Sequence, residues 1–492
     1  MKSVIVIGAG AAGLAAAGYL ARNGFSVKVL EKNAFPGGRC AAFFKEGHRF
    51  DIGATLLMMP HVYERTFSGL GRSLQESIEL QRLDPVYRLY YPGGQTLDFS
   101  SDLMRMQTQL ETIEPGSYLP FLKYMSSSIQ AYQVSMKHII DRNFDHIFQF
   151  IHPASLFRLL RLHAFGDHYR LASTYFRNEN LRTAFTFQNI YVGQNPFHAP
   201  AIFSMLPFME LTDGVLFPIG GMNRIPETLE RIALESGVEI RYRQVVTQIP
   251  VAGSRVKGVV LSDDSFLPAD IVLANADLPY VYQELLPGGR ALRRIRRLGY
   301  TCSALVFHWG MDTVLPGLEQ HNIYVSDNYR DNIGEVFEGS GIAPEPSFYV
   351  HSPARGDKTA APEGLDSVSV IVPVGHLQDG REYDWEKVRL DARKSVFQRL
   401  AQEGLPDVEK HIRFEKVYNP PIWQNLFNLS RGATFGSLNH NLMQMGYFRP
   451  HNHHSKYHNL FFAGGSTHPG NGVPLALISA RLACEKIRSY FS

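Results

Sequence analysis

The chain opens on a short apolar run, Val4 to Ile7, broken by Gly8-Ala9-Gly10-Ala11-Ala12-Gly13. A helical apolar run from Leu14 to Asn23 follows, Gly24 stops it, and a β-branched run covers Ser26 to Leu30. Strand, tight turn, crossover helix and second strand predict a βαβ unit, the start of a parallel sheet. Later, "GVEIRYRQVVTQIPVAGSRVKGVVLSDDSFLPADIVLANAD" alternates apolar and polar positions, with turns at Ala252-Gly253 and Asp263-Asp264. That pattern predicts a strand meander and then one buried strand, Ile271 to Ala274. The end of the chain, "FFAGGSTHPGNGVPLALISARLACEKI", repeats the opening arrangement. Leu460 to Ala463 is a short buried strand, Gly464 to Gly472 a glycine-rich turn, and Pro474 stands in the first turn of an apolar helix, where its missing N–H costs nothing. Two aromatic-rich stretches, roughly residues 105–215 and 300–450, separate these pieces.

Each glycine of the first turn has a physical task. Gly8 makes the turn, Gly10 lets the backbone approach a pyrophosphate, and Gly13 lets helix and strand pack closely. The pyrophosphate rests on the helix N-terminus, where free N–H groups and the helix dipole favour negative charge. Glu31, at the end of the second strand, is placed to accept from ribose hydroxyls. A second glycine pair, Gly37-Gly38, precedes Arg39, and "FDIGATLL" follows with Asp51, Gly53 and Thr55. An early second glycine pair suits a cofactor that continues past its pyrophosphate, which favours FAD over NAD; a plain surface turn is the bland alternative. A signal peptide or membrane span fits the start poorly, because glycines interrupt the apolar run and Arg22, Asn23 and Lys28 lead into another strand. The expectation is a soluble or surface-bound protein with its start intact.

Composition narrows this picture. At 492 residues the chain exceeds one ordinary core and suits two or three lobes. With 45% hydrophobic and 19% charged residues it is a globular, somewhat apolar chain. A net charge of +3 gives no signal for nucleic acid. Cys40, Cys302 and Cys484 are too scattered for a disulfide framework or a metal knuckle. The basic residues do cluster. Arg158 and Arg161 stand among leucines in "SLFRLLRLHAF", and "GRALRRIRRLGY" holds five arginines between Arg290 and Arg297. Basic residues beside apolar ones favour an anionic bilayer surface, although a solvated helix face has the same look.

The sequence resembles the FAD-dependent amine-oxidase-like flavoproteins, and within them the bacterial carotenoid, phytoene-type desaturases. The likeness runs through "PGGR", "FDIGAT", "FPIGGMNRIPETLERIALESGVEIRYRQVVTQI", "LPADIVLANADLPYVYQELLP", "RGATFGSLNHNLMQMGYFRP" and the "THPG" and "GVP" arrangement near the end. Gly465-Ser466, and Asn471 between Gly470 and Gly472, depart from the usual pattern and resemble the branch acting on already modified carotenoids. The resemblance implies an α/β fold: a discontinuous Rossmann-type FAD domain, an α+β substrate domain, and a helical membrane-facing part. The FAD domain would comprise 1–104, 216–299 and 451–492; the substrate domain would comprise 105–215 and 300–450. FAD would be held by Gly8, Gly10, Ala11, Ala12, Gly13, Glu31, Lys32, Gly38, Arg39, Gly53, Ala54, Thr55, Val246, Asn275, Gly464, Gly465, Gly472, Val473 and Pro474. Val246 would meet the adenine end through its backbone, and Asp277 would lie near the edge of the site.

The implied reaction is desaturation of a long isoprenoid polyene, with flavin N5 taking the hydride and oxygen or a quinone taking the electrons afterwards. Oxygenation of a terminal methyl, isomerisation or saturation of a polyene, and a non-catalytic prenyl-lipid carrier are the alternatives within the fold. The implied location is cytoplasmic, peripheral on the inner face of the cell membrane. No metal is called for: "HNHH" at 451–454 lacks acidic or cysteine partners and is expected to be a loop. His468, in "THPG", is the candidate for acid–base work, with a backbone-shaping role as its alternative.

Overall fold

The computed structural model describes residues 1–150, 157, 160, 164–338 and 343–491. The predicted βαβ unit is present as β1 (Ser3–Ile7), α1 (Ala11–Arg22) and β2 (Ser26–Leu30). The helix starts at Ala11, earlier than Leu14, because Gly10 is still extended (φ −68°, ψ 166°) and serves as its N-cap. Strands from four separated parts of the chain build one all-parallel sheet in the order Leu460–Phe462, Ile271–Ala274, β1, β2, Glu239–Arg241. Both faces of this sheet are covered. Val4 and Val6 pack with α1 and the C-terminal helix Val473–Phe491, while Ile5 and Ile7 pack with Val246, Val259 and Leu261 of the meander. Burial on both faces is why β1 and Ile271–Ala274 read as unbroken apolar runs.

A second sheet of seven strands runs in the order Ile412–Tyr418, Ser303–Met311, Asp366–Val374, Phe348–His351, His321–Tyr324, Tyr87–Tyr90, Thr96–Phe99. Its pairs are antiparallel except His321–Tyr324 with Tyr87–Tyr90. Helix Trp385–Gln402 covers one face of this sheet through Ala392, Val396 and Leu400. The sequence boundary at residue 104 is corrected here, because the strands at 87–99 belong to this second sheet. Tyr87 and Phe99 explain it: they lie opposite one another, their rings stack at 4.9 Å, and both are fully buried.

Helices Leu103–Ile113, Tyr118–Ser135, His168–Ser173, Glu179–Ala184 and Met205–Thr212 form a helical part beside both sheets. Among the described residues no helix is long and apolar enough to cross a membrane. Arg158 and Arg161 lie outside the described residues.

Candidate functional site

A cavity of about 810 Å³ is walled by residues of both sheets and the helical part. Every expected FAD position except Gly13 lines it. Gly13 is one step behind the wall, where a Cβ would lie 2.2 Å from the Gly8 carbonyl oxygen; its task is the close packing of helix and strand. Gly8 takes φ 99° at the turn. A Cβ on Gly10 would lie 2.8 Å from the Asn275 Oδ1.

Asn275 joins the two glycine turns. Its Oδ1 accepts from the Gly13 N–H at 3.0 Å, and its Nδ2 donates to the Ala463 carbonyl at 2.9 Å. Gly464 follows directly with φ 122°, and a Cβ there would lie 2.8 Å from the same amide. Gly472 (φ 98°) then turns the chain into helix Val473–Phe491, whose first residues Val473 and Pro474 line the cavity. Two helix N-termini, of α1 and of this last helix, therefore open on one space and present free N–H groups to it.

Charged groups are held firmly around this end. Glu31 is buried, and its two oxygens accept from the Ala9 N–H and the Asn33 N–H, each at 2.8 Å. Burial raises its pKa and these backbone donors oppose the rise. Lys32 Nζ donates to the Asn425 carbonyl at 2.7 Å and to Asn428 Oδ1 at 2.6 Å. Arg39 donates to the Thr434 carbonyl at 2.8 Å, and a Cβ on Gly53 would lie 2.5 Å from the Arg39 carbonyl oxygen. Asp277 also lines the cavity, accepts from the Ser430 N–H at 3.1 Å, and partly offsets the burial that lowers the Arg39 pKa. Ser466 Oγ accepts from the Leu278 N–H at 2.8 Å, so this unusual serine ties the C-terminal turn to the strand end after Ala274. Thr55 accepts from the Tyr349 hydroxyl at 2.9 Å.

This donor set fits FAD. The space beside Gly10 and Gly464 is open only because neither carries a side chain, a carboxylate stands at the end of β2, and two helix N-termini face the same volume.

The other end of the cavity is apolar, walled by Ile190, Tyr191, Ile202, Phe203, Leu206 and Phe348. Phe150, Leu442 and Met443 also line it, and Met443 is 68% exposed, so the cavity reaches the surface there. Gln444 bonds both the N–H and the carbonyl of Gly299, at 2.7 and 3.0 Å. This places the mouth beside the arginine-rich segment that includes helix Arg290–Ile295.

His468 does not line the cavity, which corrects its expected role. Its Nε2–H donates to the Arg142 carbonyl at 2.9 Å, its ring packs on Phe144, and burial pushes its pKa down to about 3. Two residues that the sequence did not single out matter more. His440 lines the cavity. Arg449, fully buried, donates to the carbonyls of Gly465 at 2.6 Å and Thr467 at 2.9 Å and so props the C-terminal turn from behind. Within "HNHH", His451 bonds the Tyr447 carbonyl and His454 accepts from the Lys456 and Tyr457 N–H groups. Among the described residues no group of three or more histidine, cysteine or acidic side chains is placed to hold a metal.

Fold and site together define an FAD-dependent oxidoreductase with an apolar substrate chamber. The family model "Flavin containing amine oxidoreductase" matches residues 11–488, and the chain belongs to that family. It is 40% identical to the zeta-carotene-forming phytoene desaturase of Myxococcus xanthus over 99% of this chain and 94% of that protein. It is 33% identical to the 4,4'-diapophytoene desaturase (4,4'-diaponeurosporene-forming) of Staphylococcus aureus strain Newman over 98% of both chains. The structure of putrescine oxidase bound to putrescine superposes with a TM-score of 0.65 at 15% identity, covering 99% of both chains, a likeness of fold.

Proposed function

We propose that this chain is an FAD-dependent carotenoid desaturase that introduces C=C bonds into a long isoprenoid polyene. The observation that carries this reading is the continuity of one cavity: a glycine-lined dinucleotide end continues directly into an apolar chamber that opens at Met443. The phytoene desaturase relatives supply the substrate class. When bound, FAD supplies the two-electron acceptor for a hydride. The chain's own residues hold and surround it. Glu31 and the α1 N-terminus bind its nucleotide half, the N-terminus of helix Val473–Phe491 favours negative charge on the ring, and aromatic and aliphatic walls exclude water.

The membrane is the proposed source of the polyene, since such a substrate partitions into lipid. Exposed Arg293, Arg294, Arg296 and Arg297 beside a mouth with exposed Leu442 and Met443 support docking on an anionic bilayer, peripheral on the cytoplasmic face. We assign FAD binding to the parallel-sheet pieces and substrate binding to the seven-stranded sheet and helical part. Oxygen or a quinone is the proposed final electron acceptor.

The test is anaerobic. FAD-loaded protein is mixed with liposomes carrying phytoene or a partly desaturated carotenoid, and flavin bleaching is followed with polyene absorbance. Bleaching with a red-shifted polyene band is the expected result. A changed polyene with unbleached flavin would mean isomerisation, and product formed only in air would mean oxygenation.

A further inference from the structure

His440 is 5% exposed, lines the cavity, and among the described residues has no hydrogen-bond partner on Nδ1 or Nε2. Its ring stands edge-on to Phe203 at 6.0 Å. On its other side it packs so closely against Gly470 that a Cβ there would lie 2.2 Å from Nε2. Phe203 belongs to the apolar wall and Gly470 to the C-terminal glycine turn, so His440 sits where the two ends of the cavity meet. Buried polar groups are normally paired, and an unpaired imidazole facing a substrate chamber calls for a functional reason.

We infer that His440 is the general base that takes the proton in desaturation, an assignment that rests on the desaturase reading above. Bound FAD would supply the acceptor for a hydride that leaves one carbon with its electron pair. The C–H bond on the neighbouring carbon breaks as the hydride leaves, its electron pair becomes the new π bond, and its proton forms an N–H bond on a free ring nitrogen of neutral His440. A weak base suffices, because positive charge developing on the adjacent carbon makes that C–H strongly acidic.

The surroundings keep the imidazole neutral. Burial pushes its pKa well below 6.5, and the Arg449 guanidinium pushes the same way. Among the described residues Arg449 is the charged group that acts on it; Gly470 and Phe203 are uncharged. Among the described residues no carboxylate pairs with Arg449, whose guanidinium donates to backbone carbonyls.

The test uses the FAD-loaded full chain in liposomes carrying phytoene, without oxygen. His440→Gln is expected to keep its FAD content and bound phytoene, while flavin reduction slows by about 10²–10⁴-fold. Added imidazole is expected to restore about tenfold or more in His440→Ala, a rescue that a packing role would not give. Flavin reduction in His440→Gln within about threefold of the unmutated rate would overturn the assignment, because a general base contributes far more than that. If His440→Gln cannot hold FAD, His440→Asn is measured in its place against the same threefold limit, with imidazole rescue of His440→Ala as the second readout. An unmutated chain that bleaches no flavin with any polyene would sink the desaturase reading and this base with it.

Discussion

Asn275 holds Gly13 and, through its other amide atom, the carbonyl of Ala463, so one side chain joins turns that are far apart in sequence. The chain returns to its first glycine turn at its very end, and this amide is the staple between the two. Asn275→Ala removes two hydrogen bonds and leaves a buried carbonyl without its donor, at a cost of about 2 kcal/mol. The expected outcome is a lowered urea midpoint and faster loss of FAD on dilution, read from flavin fluorescence. Gly10→Val is more severe, since its side chain would press on the Asn275 Oδ1 and on the cofactor space together; purified Gly10→Val protein should contain no FAD. Normal flavin content there would remove the N-terminal assignment.

The two glycine turns were legible in the sequence because their requirements are local. Gly8, Gly464 and Gly472 need positive φ, and Gly10 and Gly13 need the absence of a Cβ, so composition at those positions betrays geometry. Sheet membership was less legible. Tyr87–Tyr90 pairs with His321–Tyr324, and no local pattern announces a partner so distant in the chain. His468 was misleading for a related reason: proximity in sequence to a glycine turn does not fix which way a ring points, and here it points to Arg142. His440 escaped notice because "SLNHNLMQ" looks like an ordinary polar loop until Gly470 and Phe203 close around it. Arg449 carried the one usable signal, a lone arginine in an apolar stretch with no acid nearby.

Two buried carboxyls give the folded state a definite response to pH. Burial pushes Asp51 up to about 7, with Arg49 opposing, and pushes Glu210 up to about 8, with the Tyr87 and Gln188 hydrogen bonds opposing. Both folded-state values lie above those of the unfolded chain. The unfolded chain therefore releases these protons first as pH rises, and stability falls from about pH 4 until each folded-state pKa is passed. The slope is about 1.4 kcal/mol per pH unit per group within its window, so Asp51 alone accounts for up to about 4 kcal/mol. Urea midpoints of FAD-saturated protein should fall between pH 5 and pH 8. Asp51→Asn, which cannot ionise, should make that fall shallower; an unchanged slope would show that Asp51 is ionised in the folded protein.

The arginines next to the mouth should govern lipid binding rather than chemistry. Each basic residue at an anionic surface contributes about 1 kcal/mol, so replacing one of Arg293, Arg294, Arg296 or Arg297 with serine should weaken vesicle binding about fivefold. The effects should accumulate, vanish on purely zwitterionic vesicles, and shrink sharply near 1 M salt, where the screening length is about 3 Å. Cosedimentation with phosphatidylglycerol vesicles measures this. FAD content and conversion of detergent-dispersed polyene should stay unchanged, which separates docking from catalysis.

His468 supplies the complementary test, because the structure makes it a strut beside the site. Its Nε2–H satisfies the Arg142 carbonyl, its ring lies edge-on to Phe144 at 5.3 Å, and burial pushes its pKa down to about 3, so the ring is neutral near pH 7. Gln retains an N–H donor, so His468→Gln should keep FAD and bleach within a few-fold of the unmutated rate. Ala leaves the carbonyl unpaired and loses the ring contact, at about 2–4 kcal/mol together, and should appear as a lowered midpoint of unfolding. A strut and a base are separated by this contrast: His468 variants should lose stability before rate, whereas His440→Gln should lose rate with its flavin in place. A hundredfold slower flavin reduction in FAD-loaded His468→Gln would reverse that order and return the acid–base role to the "THPG" turn.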